Sequence, residues 1–376
     1  MSKTKSKLQI AKEEVDALVK LTNSKIMELG IYTRSLHNAL TMIQVQFDKI
    51  RNVPSEKQLE YQKIKEVCMT WKQQVEKIES DYEAAAKSNV GRGVAGGALG
   101  AGVAVLGPTA AMGIATTFGV ASTGTAISAL SGAAATNAAL AWLGGGALAA
   151  GGGGMAAGNA LLALAGPVGW AIAGVALVGS GLLFLKAKSD KEKLEKIFLL
   201  ISKRDQTSYK QAIVELDERI KRIIDETMKL TDAIQRIVTF GTDYNAMTEE
   251  QQYTLGSYVN LMNASVQLLV NPILGLQPKF TEEDLDKFIS RFYLKYSVRE
   301  YCTKRKDVIK YMANLLYKID TDESERKLLS KSFRSNKEFM EKMQLQKTDL
   351  DLILFNMVDN ILYYTYTRRG KSENTH

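Results

Sequence analysis

Apolar residues near the start of the chain recur three and four apart: Leu8, Ala11, Val15 and Leu18. That spacing predicts a helix over residues 7–50 with one buried stripe. The stripe loosens near Gly30 and resumes with Leu36, Leu40, Ile43, Phe47 and Ile50. Pro54 lacks a donor and restricts the residue before it, so Asn52-Val53-Pro54 should end the helix. Ser55, with Gln58 three residues on, is the expected N-cap of a second helix. Its stripe is cleaner: Tyr61, Ile64, Cys68, Trp71, Val75, Ile78 and Tyr82. The same heptad returns at Tyr209, Ile213, Leu216, Ile220, Ile223, Leu230, Ile234 and Ile237, with Thr227 as its weak step. The two long helices flanking the middle of the chain are expected to pack on each other.

A further helical unit is expected from Thr248. Thr248-Glu249-Glu250 and Thr281-Glu282-Glu283 read as helix starts, with Thr as cap and acids in the first turn. Asn271-Pro272 and Gly275-Leu276-Gln277-Pro278 read as breaks. Helices are expected over 300–318, 323–343 and 347–367, and a disordered tail from Arg368. No alternating run argues for a sheet. The expected fold is all-α, in four regions: a coiled-coil-like part (1–92), an apolar middle (93–185), a returning amphipathic helix (186–245) and a C-terminal helical domain (246–376).

Charge sets the middle apart. Residues 1–92 carry 16 Lys/Arg and 12 Asp/Glu, residues 186–376 carry 33 and 29, and residues 93–185 carry none of either. A spanning helix needs about 20 apolar residues, so this stretch has room for two or four crossings. Of the 29 glycines, 24 lie between Gly91 and Gly181. Several are four apart, which lets membrane helices approach closely; Gly93, Gly96, Gly97, Gly100, Gly154 and Gly158 are the expected packing residues. Breaks are expected at Gly107-Pro108, Ala121–Gly124, 144–146, 151–154 and Gly166-Pro167. Trp142 and Trp170 are expected at the membrane interface, with Arg92 at one end of the stretch and Lys186 and Lys188 at the other. Basic residues at both ends favour keeping both on the cytoplasmic side, and so an even number of crossings. Ala and Gly drive insertion weakly, which suits a segment that folds away and enters lipid on a trigger; the alternative expectation is a permanent small-residue membrane anchor.

Other chemistry is sparse. The net charge of +8 is interspersed with acids, which argues against nucleic-acid binding. The two histidines, His37 and His376, adjoin no Cys or acid cluster, so neither a zinc site nor a catalytic triad is expected, and His37 should be exposed. The glycines form no Walker loop, which would need a GxxxxGK[ST] run. Cys68 and Cys302 read as buried thiols of a reducing compartment. Met1 to Lys12 is polar and charged, so no secretory signal is expected, and the expected location is the cytoplasm and the cytoplasmic (inner) membrane. No enzyme activity and no cofactor are expected.

The layout of long helices around a central apolar segment, with a returning helix, resembles the α-helical pore-forming toxins of the cytolysin A and haemolysin BL type. The stretch from Ser131 to Gly146, continuing from Ala147 to Gly158, resembles a glycine-zipper segment of bacterial membrane proteins. The resemblance implies helical insertion, homo-oligomerisation on the lipid bilayer and permeabilisation. The chain departs from the toxins in its longer apolar segment and in the expectation of no export signal, and both favour an intracellular toxin or defence effector as the expected role. The competing expectation is a membrane-anchored scaffold whose C-terminal domain binds a protein partner without forming a pore. A weaker one is a subunit of a larger transport or secretion assembly.

Overall fold

The computed structural model describes residues 6–90, 108–119, 187–291, 293–335, 340 and 345–373. Among these the fold is all-α, with no β-strand and one isolated bridge between Arg51 and Asp243. The helices are α1 (Lys7–Phe47), α2 (Ser55–Val90), α3 (Pro108–Phe118), α4 (Lys188–Val238), α5 (Glu249–Val270), α6 (Glu282–Ile289), α7 (Tyr296–Lys304), α8 (Lys306–Leu315), α9 (Glu323–Ser335) and α10 (Leu352–Glu373).

The buried face of α1 is an unbroken heptad. Leu8, Val15, Thr22, Leu29, Leu36 and Ile43 are buried along one edge, interleaved with Val19, Ile26, Thr33 and Leu40, and Ile50 is buried just past the helix end. The stripe that loosened near Gly30 therefore runs on through small and hydroxylic residues, with Val19 taking the place expected of the half-buried Leu18. On α2, Tyr61, Ile64, Cys68, Trp71, Val75 and Ile78 are all buried as their spacing implies. On α4 the seam passes through Ala212 and Ala233, while Ile213 and Ile234 are partly buried beside it. Ser55 is the first helical residue of α2 rather than its cap, and the Gln58 amide donates back to the Val53 carbonyl at 3.0 Å.

Cross-contacts fix the directions. Gln206 donates to Glu14 at 3.0 Å, Lys25 pairs with Asp217 at 2.8 Å, and the Arg51 N–H donates to the Thr242 carbonyl at 2.9 Å. Higher numbers on α1 meet higher numbers on α4, so the two run parallel. The helix α2 runs back along α1: the Tyr61 hydroxyl donates to the Gln44 carbonyl at 2.8 Å, and the Trp71 ring lies 5.2 Å from that of His37. The main partner of α4 is thus α1, while α2 packs chiefly on α3 and α5, in place of the expected direct packing of the two flanking helices on each other. The last turns of α2 and the first turns of α4 both point to the end of the bundle where α1 begins.

The apolar interior falls into two cores. The first joins α1, α2, α3, α5 and most of α4. The second gathers Leu194, Ile197, Phe198 and Ile201 of α4, together with Leu8, among the helices from α6 to α10. The helix α5, expected to open the C-terminal domain, instead packs in the first core. Its start follows local chemistry: Thr248 and Gln251 form a capping box, as Thr281 and Asp284 do for α6. The single helix expected over 300–318 divides at Arg305 into α7 and α8. The tail expected to be disordered is helical to Glu373, because Arg368 and Arg369 each donate to a different oxygen of the buried Asp284, both at 2.7 Å.

Candidate functional site

The charge-free stretch enters the described fold as α3, and its seat in the first core is the candidate site. Pro108 opens α3 at the first helical position, where its fixed φ suits the helix and its missing N–H costs nothing. This is the break expected at Gly107-Pro108. Gly119 closes it, with φ at +77° and its N–H donating to the Ala115 carbonyl at 2.9 Å. Ala111, Ile114, Ala115, Thr116 and Thr117 are at most 1% exposed. This apolar helix therefore turns its surface to protein, between α1, α2 and α5.

Backbone meets backbone in the seat. A β-carbon placed on Gly30 of α1 would lie 2.0 Å from the Thr109 carbonyl oxygen. One placed on Gly113 of α3 would lie 2.2 Å from the Ile26 carbonyl oxygen. The two glycines face each other where α3 crosses α1, and any side chain at either position would drive the helices apart. At the far end, the Ile273 N–H donates to the Thr117 carbonyl at 2.8 Å, and a β-carbon on Gly119 would lie 2.6 Å from the Val270 carbonyl oxygen. Close approach through glycine operates here at Gly30 and Gly113, inside a protein core. A signal for Gly30 was present, since glycine is a poor helix former and one inside a helical pattern calls for a packing reason; Gly113, one of 24 glycines between Gly91 and Gly181, carried none.

Polar groups in the seat are incompletely matched. The Thr117 hydroxyl donates to the Gly113 carbonyl at 2.7 Å. The hydroxyls of Thr33 and Thr116 and the indole N–H of Trp71 are buried without a hydrogen-bond partner among the described residues. Such a group costs about 1–3 kcal/mol relative to a hydrated one. Opening the seat would return that cost while giving up the packing.

The sequence-predicted site residues Gly93, Gly96, Gly97, Gly100, Gly154, Gly158, Arg92, Trp142, Trp170 and Lys186 lie outside the described residues. Lys188 begins α4; it is 91% exposed and 3.8 Å from Glu192. His37, expected to be exposed, is half buried against Trp71, and burial, reinforced by nearby Lys72, lowers its pKa below the usual imidazole value. Cys68 and Cys302 are buried, one in each core, and burial pushes both thiols up to about 11. Among the described residues no group of His, Cys, Asp and Glu is placed to hold a metal ion.

One described segment, Glu249–Leu276, is long and apolar enough to cross a membrane, but 56% of its most apolar window is buried inside the protein. That is the property of a core helix, and α5 packs as one against α2 and α4. Comparison of the chain with protein-family models, with curated proteins and with solved structures finds no match.

Proposed function

We propose that this chain is a membrane-inserting, oligomerising helical protein that permeabilises a bilayer. The bundle with α3 seated inside it is the state before insertion. The observation that carries this reading is the seat of α3. The first helix of the charge-free stretch is stored in the protein interior on glycine backbone contacts at Gly30 and Gly113. The Thr116 hydroxyl of α3, buried without a partner among the described residues, gains water when the helix leaves. A helix held by shape rather than by ion pairs can be released as a unit. The segment between α2 and α4 starts and ends toward one end of the bundle, which fits its entry into lipid as a loop with both flanks on one side. Replacing Gly96 and Gly100 by Ile should leave lipid binding intact and abolish oligomers and leakage, if close helix packing builds the pore.

Purified full-length protein added to dye-loaded liposomes tests the reading. Leakage together with lipid-dependent crosslinking into oligomers is expected. Flotation with liposomes but no leakage would favour the anchored scaffold, and neither would refute membrane activity. Deleting residues 93–185 should abolish flotation.

A further inference from the structure

We propose that a cleft at the opposite end of the first core from the start of α1 binds a neutral saccharide. The cleft has a volume of about 710 Å³ and lies where α1 ends and α2 and α5 begin. That volume is in the range of small-ligand sites. This inference does not rest on the membrane reading, since no part of the cleft belongs to the charge-free stretch.

Gly256 is the first sign. It lies inside α5 and lines the cleft, and no atom comes within 4 Å of a β-carbon placed there. Gly30, Gly113 and Gly275 each meet backbone atoms within 2.0–2.6 Å at the same test. Glycine is among the worst residues for a helix interior, and at Gly256 neither the backbone angle nor the packing of the fold asks for it. A ligand lying close against the helix backbone would.

The chemistry of the walls narrows the class. Their charges balance rather than favour one sign: Asp48 pairs with Lys65 at 2.9 Å, and Lys57, whose ammonium donates to the Tyr244 hydroxyl at 2.6 Å, is offset by Glu60 on the same wall. Lys65 and Lys57 also sit over the rings of Tyr61 and Tyr244, at 5.4 and 5.1 Å. Those two faces are taken, which leaves no open aromatic cage for a cationic ligand. The ring of Tyr253 is 79% exposed and free for stacking. The side chains of Gln62 and Asn260 are exposed on the cleft and offer amides that both donate and accept. An exposed ring beside such amides suits a ligand of hydroxyl groups with an apolar face. An extended peptide would find helix backbones already bonded to their own turns, and a partner helix would find Ile50, Leu255 and Val259 already buried.

Titration calorimetry of the full-length protein with maltotriose, cellotriose, mannotriose and chitotriose is the test. At least one should bind, and Tyr253→Ala and Gly256→Leu should each weaken it by about tenfold or more, equivalent to about 1.4 kcal/mol. Both variants should keep the parent's circular dichroism, and Gly256→Ala should raise the melting temperature, because space is open there. Failure of all four sugars to bind overturns the proposal. So does binding that both variants leave unchanged, or loss of the fold in Gly256→Ala.

Discussion

The carbonyl of Thr109 lies over Gly30 so closely that a β-carbon there would sit 2.0 Å from its oxygen. No side-chain rotation relieves such a clash, since both partners are backbone. Gly30→Ala gains roughly 0.5–1 kcal/mol of helix propensity but incurs overpacking of about 1–3 kcal/mol. We expect a net loss of stability in urea melts, and the same for Gly113→Ala, whose β-carbon would lie 2.2 Å from the Ile26 oxygen. On liposomes, both variants should associate faster than the parent, because α3 is unseated beforehand. Unchanged melts for both would mean that the two backbones do not meet at these glycines.

Gly256→Ala should move the other way. With nothing within 4 Å of the new carbon, the gain of helix propensity is unopposed. The expected increase is roughly 0.5–1 kcal/mol, read in the same melts.

The two cysteines report on the two cores separately. Burial pushes both thiols up to about 11, about a hundredfold fewer thiolates near neutrality than at the ordinary value of 9.0. Labelling of native protein should be slow at both sites. In Gly30→Ala the rate should rise at Cys68, in the first core, and stay low at Cys302, in the second. Peptide mapping by mass spectrometry separates them. Equal acceleration would mean that the cores open together.

Asp205 sits where α4 passes between the cores, 4% exposed, with Arg204 donating to its Oδ1 at 2.8 Å. The same guanidinium donates to the carbonyls of Asn314, Leu315 and Tyr317. Burial raises the Asp205 pKa, opposed by the charge of Arg204. The folded state therefore holds this proton more tightly than the unfolded chain. Its contribution to stability is full below the unfolded pKa and is lost as pH rises through the folded one. Asp205→Asn cannot titrate. The unfolding free energy of the parent minus that of the variant should rise as pH falls from about 7 toward about 4. A flat or falling difference would contradict the assignment.

Asp284 anchors the end of α10 through Arg368 and Arg369, and also accepts from the Thr281 N–H and hydroxyl as part of the α6 cap. Its side chain is 5% exposed, the two arginines 33% and 38%. Asp284→Ala leaves both guanidinium groups without a carboxylate but partly hydrated, Arg369 keeping its bond to the Tyr317 hydroxyl, and should cost roughly 2–4 kcal/mol. Truncation after Thr367 leaves the buried carboxylate with only the Thr281 cap and should cost at least as much, and the two changes should not add. Additive losses would show that the arginines act elsewhere.

Much of the helix pattern was legible because capping and heptad spacing are local. Thr248 and Thr281 could be read as caps from three residues each, and the stripe from Tyr61 to Ile78 needed only its own period. The seam of α4 was harder. Ile213 and Ile234 outweigh Ala212 and Ala233 in apolarity, yet the alanines face the bundle. At Ala212 the reason is a close backbone: a β-carbon on Gly275 would lie 2.6 Å from the Ala212 nitrogen. Arg368 and Arg369 looked like the start of a polar tail because their partner, Asp284, lies more than eighty residues earlier.

Three properties follow from the order of residues alone. The chain is helical, one face of each long helix avoids water, and one stretch of 93 residues has no charge to keep it in water. What each face is buried against emerged only in three dimensions. Parallel α1 and α4, α5 in the first core, and the backbone contact of Gly30 with Thr109 are pairings between residues far apart in the chain. A period states that a face avoids water but carries no information about its partner. That is settled by which surfaces fit at close range, and at Gly30 the fit depends on an absent side chain.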